Sequence, residues 1–173
     1  MTDLDGNESN EAVAFFRNSA ETSSVHMLVM YSKDNSWKIA SDNIFETTDI
    51  DSVDFADLTG NGKAEIIVNS TTYTPNVGKL SFYSYSDGKT SDIGSGQSCS
   101  SFVTGDFDGD GDEDIAVYVP KRGDPYIMIL DGITLSPISD NIPVRSFMGN
   151  TGADMAGKSV SYTHLTLPTN REV

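Results

Sequence analysis

Five aspartates at alternate positions of one short stretch have the spacing of a calcium-binding loop. They occupy positions 1, 3, 5, 7 and 9 of residues 106–114: Asp106, Asp108, Asp110, Asp112 and Asp114. Calcium takes about six to eight oxygen ligands, and a tight loop can turn alternate side chains toward one ion. Without a cation, carboxylates so close together would repel one another. We therefore predict a calcium site in which position 7 contributes its backbone carbonyl and the other four positions contribute carboxylates.

The same arrangement occurs twice more upstream, so the sequence contains an internal repeat. The first aspartates of the three stretches, Asp3, Asp57 and Asp106, are separated by 54 and 49 residues. The candidate ligands of the first stretch are Asp3, Asp5, Asn7, Glu11 and the carbonyl of Ser9. Those of the second stretch are Asp57, Thr59, Asn61, Lys63 and Glu65. We expect the second site to be the weakest, because it has only two carboxylates and includes a lysine.

Short strands separated by turn residues are predicted between these stretches, and no window favours a long helix. The predicted strands are 12–17, 25–31, 36–40, 50–55, 65–69, 79–85, 101–103, 115–119 and 126–130. Residues 25–30 are apolar at both alternating sets of positions, which predicts burial on both faces. A period near 50 residues with about four strands per repeat is typical of a β-propeller.

The sequence therefore predicts an all-β fold, a partial β-propeller of about three four-stranded antiparallel blades with Asp-rich calcium loops. The blades are predicted at about 1–49, 50–98 and 99–148, and a fourth is predicted to begin at 149–159. No strand precedes Asp3, so we expect the first blade to lack its leading strand and the remaining blades to lie outside this sequence. Residues 160–173 are interpreted as a non-native tail, because they are similar to the translation of a transposase-type sequencing adapter.

The stretch 106–117 resembles the VCBS and FG-GAP repeats of bacterial surface proteins and integrin α-subunit propellers. Their mark is Asp-x-Asp-Gly-Asp-Gly-x-x-Asp followed by an apolar strand, and this stretch matches it at every marked position. The other two depart from it, at Thr59 in the second and at Asn7, Glu8 and Glu11 in the first. Over residues 1–158 the resemblance implies a calcium-stabilised propeller, exported by a bacterium to the cell surface or beyond, that serves adhesion or binds a protein or glycan ligand.

The amino-acid composition argues against several classes of binding partner and of metal site. The 173 residues carry a net charge of -15, which repels phosphate backbones and anionic lipid and so argues against nucleic-acid binding. The apolar runs are too short for membrane insertion, since a spanning helix needs about 20 apolar residues. One cysteine forms no internal disulfide, and two histidines without a cysteine cluster do not fit a zinc site.

Three alternatives to a calcium-binding adhesion module remain open. The propeller could be a non-catalytic part of a hydrolase or a glycan-binding protein, or the chain could be an acidic β-array that binds no metal. Residues 152–159 also fit the P-loop pattern of an NTPase. That pattern requires a preceding strand and a following helix, which the sequence does not predict here. Since no general acid and base pair stands out from the repeats, we expect no enzymatic activity.

Overall fold

The computed structural model describes residues 2–17, 24–45, 47, 49–71, 78–121 and 124–144, and these residues form strands, turns and loops without an α-helix. The strands are β1 (Ala12–Phe16), β2 (Val25–Lys33), β3 (Ser36–Phe45), β4 (Asp49–Ala56), β5 (Glu65–Thr71), β6 (Gly78–Ser86), β7 (Lys89–Cys99), β8 (Ser101–Gly105), β9 (Asp114–Val119), β10 (Tyr126–Leu130) and β11 (Ile142–Pro143).

The strands form three antiparallel sheets in which chain neighbours are also hydrogen-bonded neighbours. The first sheet is β1-β2-β3, the second is β4-β5-β6-β7, and the third is β8-β9-β10-β11. Strands β1, β5 and β9 each follow one of the three repeated stretches. The first sheet has three strands in the described residues, whereas the others have four. The predicted all-β fold with antiparallel blades is confirmed, and the three sheets are consistent with part of a β-propeller.

Two apolar layers hold the three sheets together. The layer between the first and second sheets consists of Leu4, Met27, Val29, Ile66, Val68, Tyr83 and Tyr85. The layer between the second and third sheets consists of Ala56, Leu58, Ile67, Leu80, Phe82, Cys99, Ile115, Val117, Met128 and Leu130. Strand β5 contributes to both layers, because successive side chains point to opposite faces of a strand. The central sheet is therefore covered on both faces.

Strand β2 differs from the prediction that it is buried on both faces. Val25, Met27 and Val29 are buried, whereas the alternate residues on the other face are only half-buried. That face carries exposed apolar side chains, namely Phe16 at 43%, Ile44 at 61% and Ile39 at 63%. They pair with β2 residues that alternate with the buried ones, so they belong to the outer face of the first sheet. Strand β2 is apolar on both faces, but only one of them is covered by a described sheet.

Among the described residues, no helix has the length and apolarity needed to cross a membrane. The predicted start of a fourth blade at 149–159, the P-loop-like residues 152–159 and the tail 160–173 all lie outside the described residues.

Candidate metal centre

The three repeated nine-residue stretches are loops with equivalent strand pairing at their two ends. The second loop (residues 57–65) joins β4 to β5, and the third loop (residues 106–114) joins β8 to β9. The residue before each of these loops pairs with the ninth loop residue, as Ala56 with Glu65 and Gly105 with Asp114. In the first loop (residues 3–11), the isolated bridge of Thr2 with Glu11 has the same register. The same backbone pairing therefore joins the two ends of all three loops.

The side chain at position 9 closes each loop by the same hydrogen bond. In every case its carboxylate accepts the backbone N–H of position 2, at 2.9 Å: Leu4 to Glu11, Leu58 to Glu65 and Phe107 to Asp114. The acidic residue at position 9 thus holds the loop conformation by a hydrogen bond within the loop, and this bond does not require a bound ion. A charged acceptor makes these bonds stronger than neutral ones.

The aspartate at position 1 orients the turn that follows it. Asp3 accepts the N–H groups of Gly6 at 2.7 Å, Asn7 at 3.2 Å and Glu8 at 2.8 Å. Asp57 accepts those of Asn61 and Gly62 at 2.9 and 2.7 Å, and Asp106 accepts that of Gly109 at 2.6 Å. These bonds draw the loop backbone around the first carboxylate, which brings the alternate side chains toward one another.

The third loop gathers three carboxylates at a distance that suits one calcium ion. Single oxygens of Asp106, Asp108 and Asp114 all lie within 4.8 Å of one another. Ligand oxygens on opposite sides of a calcium ion are about 5 Å apart, since each lies about 2.3–2.6 Å from the ion. Asp110 is at position 5, where its Oδ1 accepts the N–H of Asp112 at 3.2 Å. The donor set is oxygen only, which fits a hard divalent cation.

Desolvation and neighbouring carboxylates together raise the pKa values of two aspartates in this loop. Desolvation raises the pKa of Asp108, and the charges of Asp110, Asp114 and Asp106 raise it further, against a backbone hydrogen bond that lowers it. Desolvation and the neighbouring Asp110 carboxyl raise the pKa of Asp112 to about 6, with further contributions from Asp114 and Asp131. The unfavourable interactions among these carboxylates are those that a bound cation would offset.

The first loop also brings three carboxylates together. Single oxygens of Asp3, Asp5 and Glu11 lie within 4.8 Å of one another. Desolvation raises the pKa of Glu11, and the charges of Asp5 and Asp3 add to the effect. Desolvation also acts to raise the pKa of Asp3, but the backbone N–H groups that it accepts outweigh this and hold the pKa below its ordinary value. Asn7 accepts the N–H of Ser9 at 2.8 Å, so it braces the loop.

In the second loop, the polar side chains are engaged with one another. Asn61 donates its Nδ2 hydrogen to Thr59 Oγ1 at 2.6 Å, and Thr59 Oγ1 lies 3.5 Å from Glu65 Oε1, to which it donates. Asn61 also accepts the N–H of Lys63 at 2.9 Å. No group of three carboxylates within metal-binding distance occurs at this loop among the described residues. In the second loop, hydrogen bonds between polar side chains replace the clustered carboxylates of the first and third loops.

Contacts between neighbouring loops involve residues whose role the sequence pattern did not indicate. Glu113, at position 8 of the third loop, accepts the N–H of Asp57 at 2.8 Å and donates its own N–H to the Asp57 carbonyl at 3.0 Å. A Cβ atom on Gly6 would lie 3.1 Å from the Lys63 side chain, so the stem of that lysine lies against the first loop. The three loops therefore lie side by side in a row, at the strand ends that they connect.

Two positions of each loop require a left-handed backbone. Position 4 is glycine in all three loops, but position 6 is Gly62, Gly111 and, in the first loop, Glu8 with φ +68°. A left-handed conformation costs a non-glycine residue about 1 kcal/mol or more.

We expect Glu8→Gly to raise the free energy of unfolding by about 0.5–1 kcal/mol, as measured by urea denaturation.

The matched control for this change is Gly62→Ala. A Cβ atom at Gly62 would meet nothing within 4 Å, so only the backbone conformation opposes it. We expect Gly62→Ala to lower the free energy of unfolding by about 1 kcal/mol. A loss of stability in Glu8→Gly would contradict the account of position 6.

Part of the third sheet matches a known protein family. Residues 100–126, which contain β8, the third loop and β9, match the family model described as FG-GAP repeat. Searches of curated proteins and of solved structures found no significant match to the chain.

Proposed function

We propose that this chain, in which residues 100–126 form an FG-GAP repeat, is a calcium-binding β-propeller module that acts in adhesion or in ligand binding outside the cytoplasm. The observation that carries the proposal is the convergence of Asp106, Asp108 and Asp114 within 4.8 Å, inside the matched segment. Asp110 and the backbone of Asp112 complete the proposed site. The first loop is the second proposed site, and calcium has a structural role in both.

The location outside the cytoplasm follows from the expected affinity of such loops. Extracellular calcium modules have Kd values of about 10⁻⁴–10⁻³ M. At about 10⁻³ M calcium, a site with a Kd of about 10⁻⁴ M would stabilise the fold by about 1.4 kcal/mol. At cytosolic calcium, of the order of 10⁻⁷ M, it would be empty and its carboxylates would repel one another. The loops therefore suit a protein exported to calcium-rich surroundings, as on a bacterial surface.

The proposed ligand of the module is a protein or a glycan. The net charge of -15 disfavours nucleic acid and anionic lipid, as the sequence already indicated. We propose no catalytic role, because the loop carboxylates at positions 1 and 9 are engaged by backbone N–H groups and shape the loops.

Further blades are the proposed partners of the two outer sheet faces. Leu4 and Leu58, at position 2 of the first two loops, are buried in the layer between their own sheet and the next. Phe107 is the equivalent residue of the third loop and is 45% exposed, and Val103 of β8 is 52% exposed. A fourth sheet placed as the second and third are would bury both side chains. The exposed apolar face of the first sheet calls for a preceding blade in the same way.

Thermal unfolding with calcium and with chelator tests calcium binding. Occupation of the first and third loops at about 1.4 kcal/mol each should raise Tm by about 5–10 °C at millimolar calcium. The measurement is circular dichroism melting of the whole chain, and magnesium at the same concentration is the control for ionic strength. Equal Tm values with calcium and with chelator would contradict the proposal.

A further inference from the structure

A cavity of about 400 Å³ lies beside the first loop, between the first and second sheets. Positions 3, 5 and 9 of the loop line one side of it, and two tyrosines of the sheets line the rest, together with apolar residues of β3. These loop residues and tyrosines are Asp5, Asn7, Glu11, Tyr31 and Tyr85. Pockets for small organic ligands have volumes of about 300–1,000 Å³. The cavity therefore has room for such a ligand next to the loop.

The two tyrosines reach the cavity from different sheets. Tyr31 of β2 alternates in step with the buried Met27 and Val29, so its side chain points from the first sheet toward the second. Tyr85 of β6 belongs to the apolar layer between the same two sheets. Aromatic rings give a ligand a large apolar surface on which to pack. The cavity thus combines aromatic surface with the oxygen atoms of the loop.

The hydroxyl group of Tyr85 is an independent indication of a ligand. Tyr85 is 5% exposed, and its hydroxyl has no hydrogen-bond partner within the described part of the chain. Buried tyrosine hydroxyls usually have such a partner. Because Tyr85 lines the cavity, a ligand there can supply the missing hydrogen-bonding group.

The corresponding place beside the second loop is occupied by backbone. From the strand pairing, Gly132 in the turn after β10 corresponds to Tyr85 at the end of β6. A Cβ atom on Gly132 would lie 2.6 Å from the carbonyl oxygen of Leu58, so this turn lies directly against the second loop. A side chain such as that of Tyr85 does not fit there. The tyrosine and the cavity beside it therefore distinguish the first loop from the second.

A calcium ion in the first loop would have coordination positions open toward the cavity. The loop supplies five proposed ligands, namely Asp3, Asp5, Asn7, Glu11 and the carbonyl of Ser9. Calcium takes about six to eight oxygens, so with one oxygen from each residue at least one position stays open. Three of the five residues line the cavity, which places the ion at the cavity wall. The net charge of -15 disfavours an anion as the further ligand, whereas neutral hydroxyl groups are suitable.

We propose that this cavity is a glycan-binding site, in which a sugar with two hydroxyl groups on adjacent carbons completes the coordination of calcium in the first loop. The sugar ring packs against Tyr31 and Tyr85, and one of its hydroxyls forms a hydrogen bond with the Tyr85 hydroxyl. This inference rests on the proposed function, because it requires calcium in the first loop. It narrows the proposed ligand of the module from a protein or a glycan to a glycan.

Titration of the whole chain with the methyl glycosides of mannose, fucose and galactose tests the site. Each of these sugars has two hydroxyls on adjacent carbons, and saturation-transfer NMR measures their binding. At least one should bind with a Kd in the millimolar range, as expected for a ligand of this size, and binding should be lost in chelator.

Three variants locate the sugar. Tyr85→Phe removes only the hydroxyl and should weaken binding about fivefold, and Tyr31→Ala removes a ring from the cavity and should weaken it about tenfold. Tyr126→Phe is the matched control, because Tyr126 is a half-buried tyrosine of the third sheet. It should bind the sugar as the wild type does.

The outcomes separate this inference from the proposed function. A calcium-dependent rise in Tm without binding of any of the three sugars would overturn the glycan site and leave calcium binding intact. Tm values that do not depend on calcium would overturn both. Sugar binding that is equally strong in chelator would contradict coordination of the sugar by calcium. Wild-type affinity in both Tyr85→Phe and Tyr31→Ala would show that the sugar binds elsewhere.

Discussion

Leu58→Ala should lower the free energy of unfolding by about 2–5 kcal/mol, whereas Phe107→Ala should lower it by less than about 1 kcal/mol. Both residues occupy position 2 of a loop. Leu58 is 0% exposed and packs between the second and third sheets, whereas Phe107 is 45% exposed. Truncating Leu58 removes apolar contacts and leaves a cavity that the surrounding strands fill only in part. Truncating Phe107 removes a side chain that the described sheets cover incompletely.

Urea denaturation of the two variants in chelator measures this difference without a contribution from calcium. The midpoint should shift strongly for Leu58→Ala and little for Phe107→Ala, with similar m-values. A loss of similar size in both variants would show that Phe107 is covered in the isolated chain. The outer face of the third sheet would then not be free to receive another blade.

The double change Asp108→Ala and Asp110→Ala is expected to have opposite effects on stability with and without calcium. At millimolar calcium it should remove the third loop's contribution, about 1.4 kcal/mol or more, to the free energy of unfolding. In chelator it should leave stability equal to or above that of the wild type, because two mutually repelling charges are gone. The structural loss is small, since each side chain accepts one backbone N–H within the loop, at 3.2 Å.

Thr59→Ala is the matched control in the second loop, where Thr59 takes the place of Asp108. It should leave the calcium-dependent difference in Tm unchanged, because that loop lacks a cluster of three carboxylates among the described residues. Thermal melts of both variants, with calcium and with chelator, make the comparison. A larger calcium-dependent loss for Thr59→Ala than for the double variant would reverse the proposed order of the loops.

The strands that could be predicted are those with a strong apolar pattern. Strand β10 has the predicted bounds, and β5 extends its prediction by two residues, to Thr71. Strand β7 (Lys89–Cys99) was not predicted, because it is polar, contains two glycines and lacks regular apolar alternation. Its pairing with β6 defines it instead, and the ladder shifts register twice along its length. Strand β11 has only two residues, and one is a proline, so no local signal marks it.

The candidate ligands were predicted better than the contacts around them. Alternating oxygen-bearing residues identify the carboxylates of the first and third loops, because a loop that binds calcium uses residues close in sequence. Glu113 and Asp131 act across larger separations: Glu113 contacts Asp57, and Asp131 approaches the loop from the end of β10. Such contacts depend on how the sheets stack and how the turn folds back, which spacing along the chain does not encode.

The bond that closes each loop gives that loop its own amide probe for hydrogen exchange. The N–H groups of Leu4, Leu58 and Phe107 each donate to the carboxylate at position 9 of their own loop. Each must break that bond before it can exchange with deuterium, so its protection measures the local opening of one loop. The three amides therefore distinguish loops that a single global melting curve would average, including any loop that stays closed without an ion.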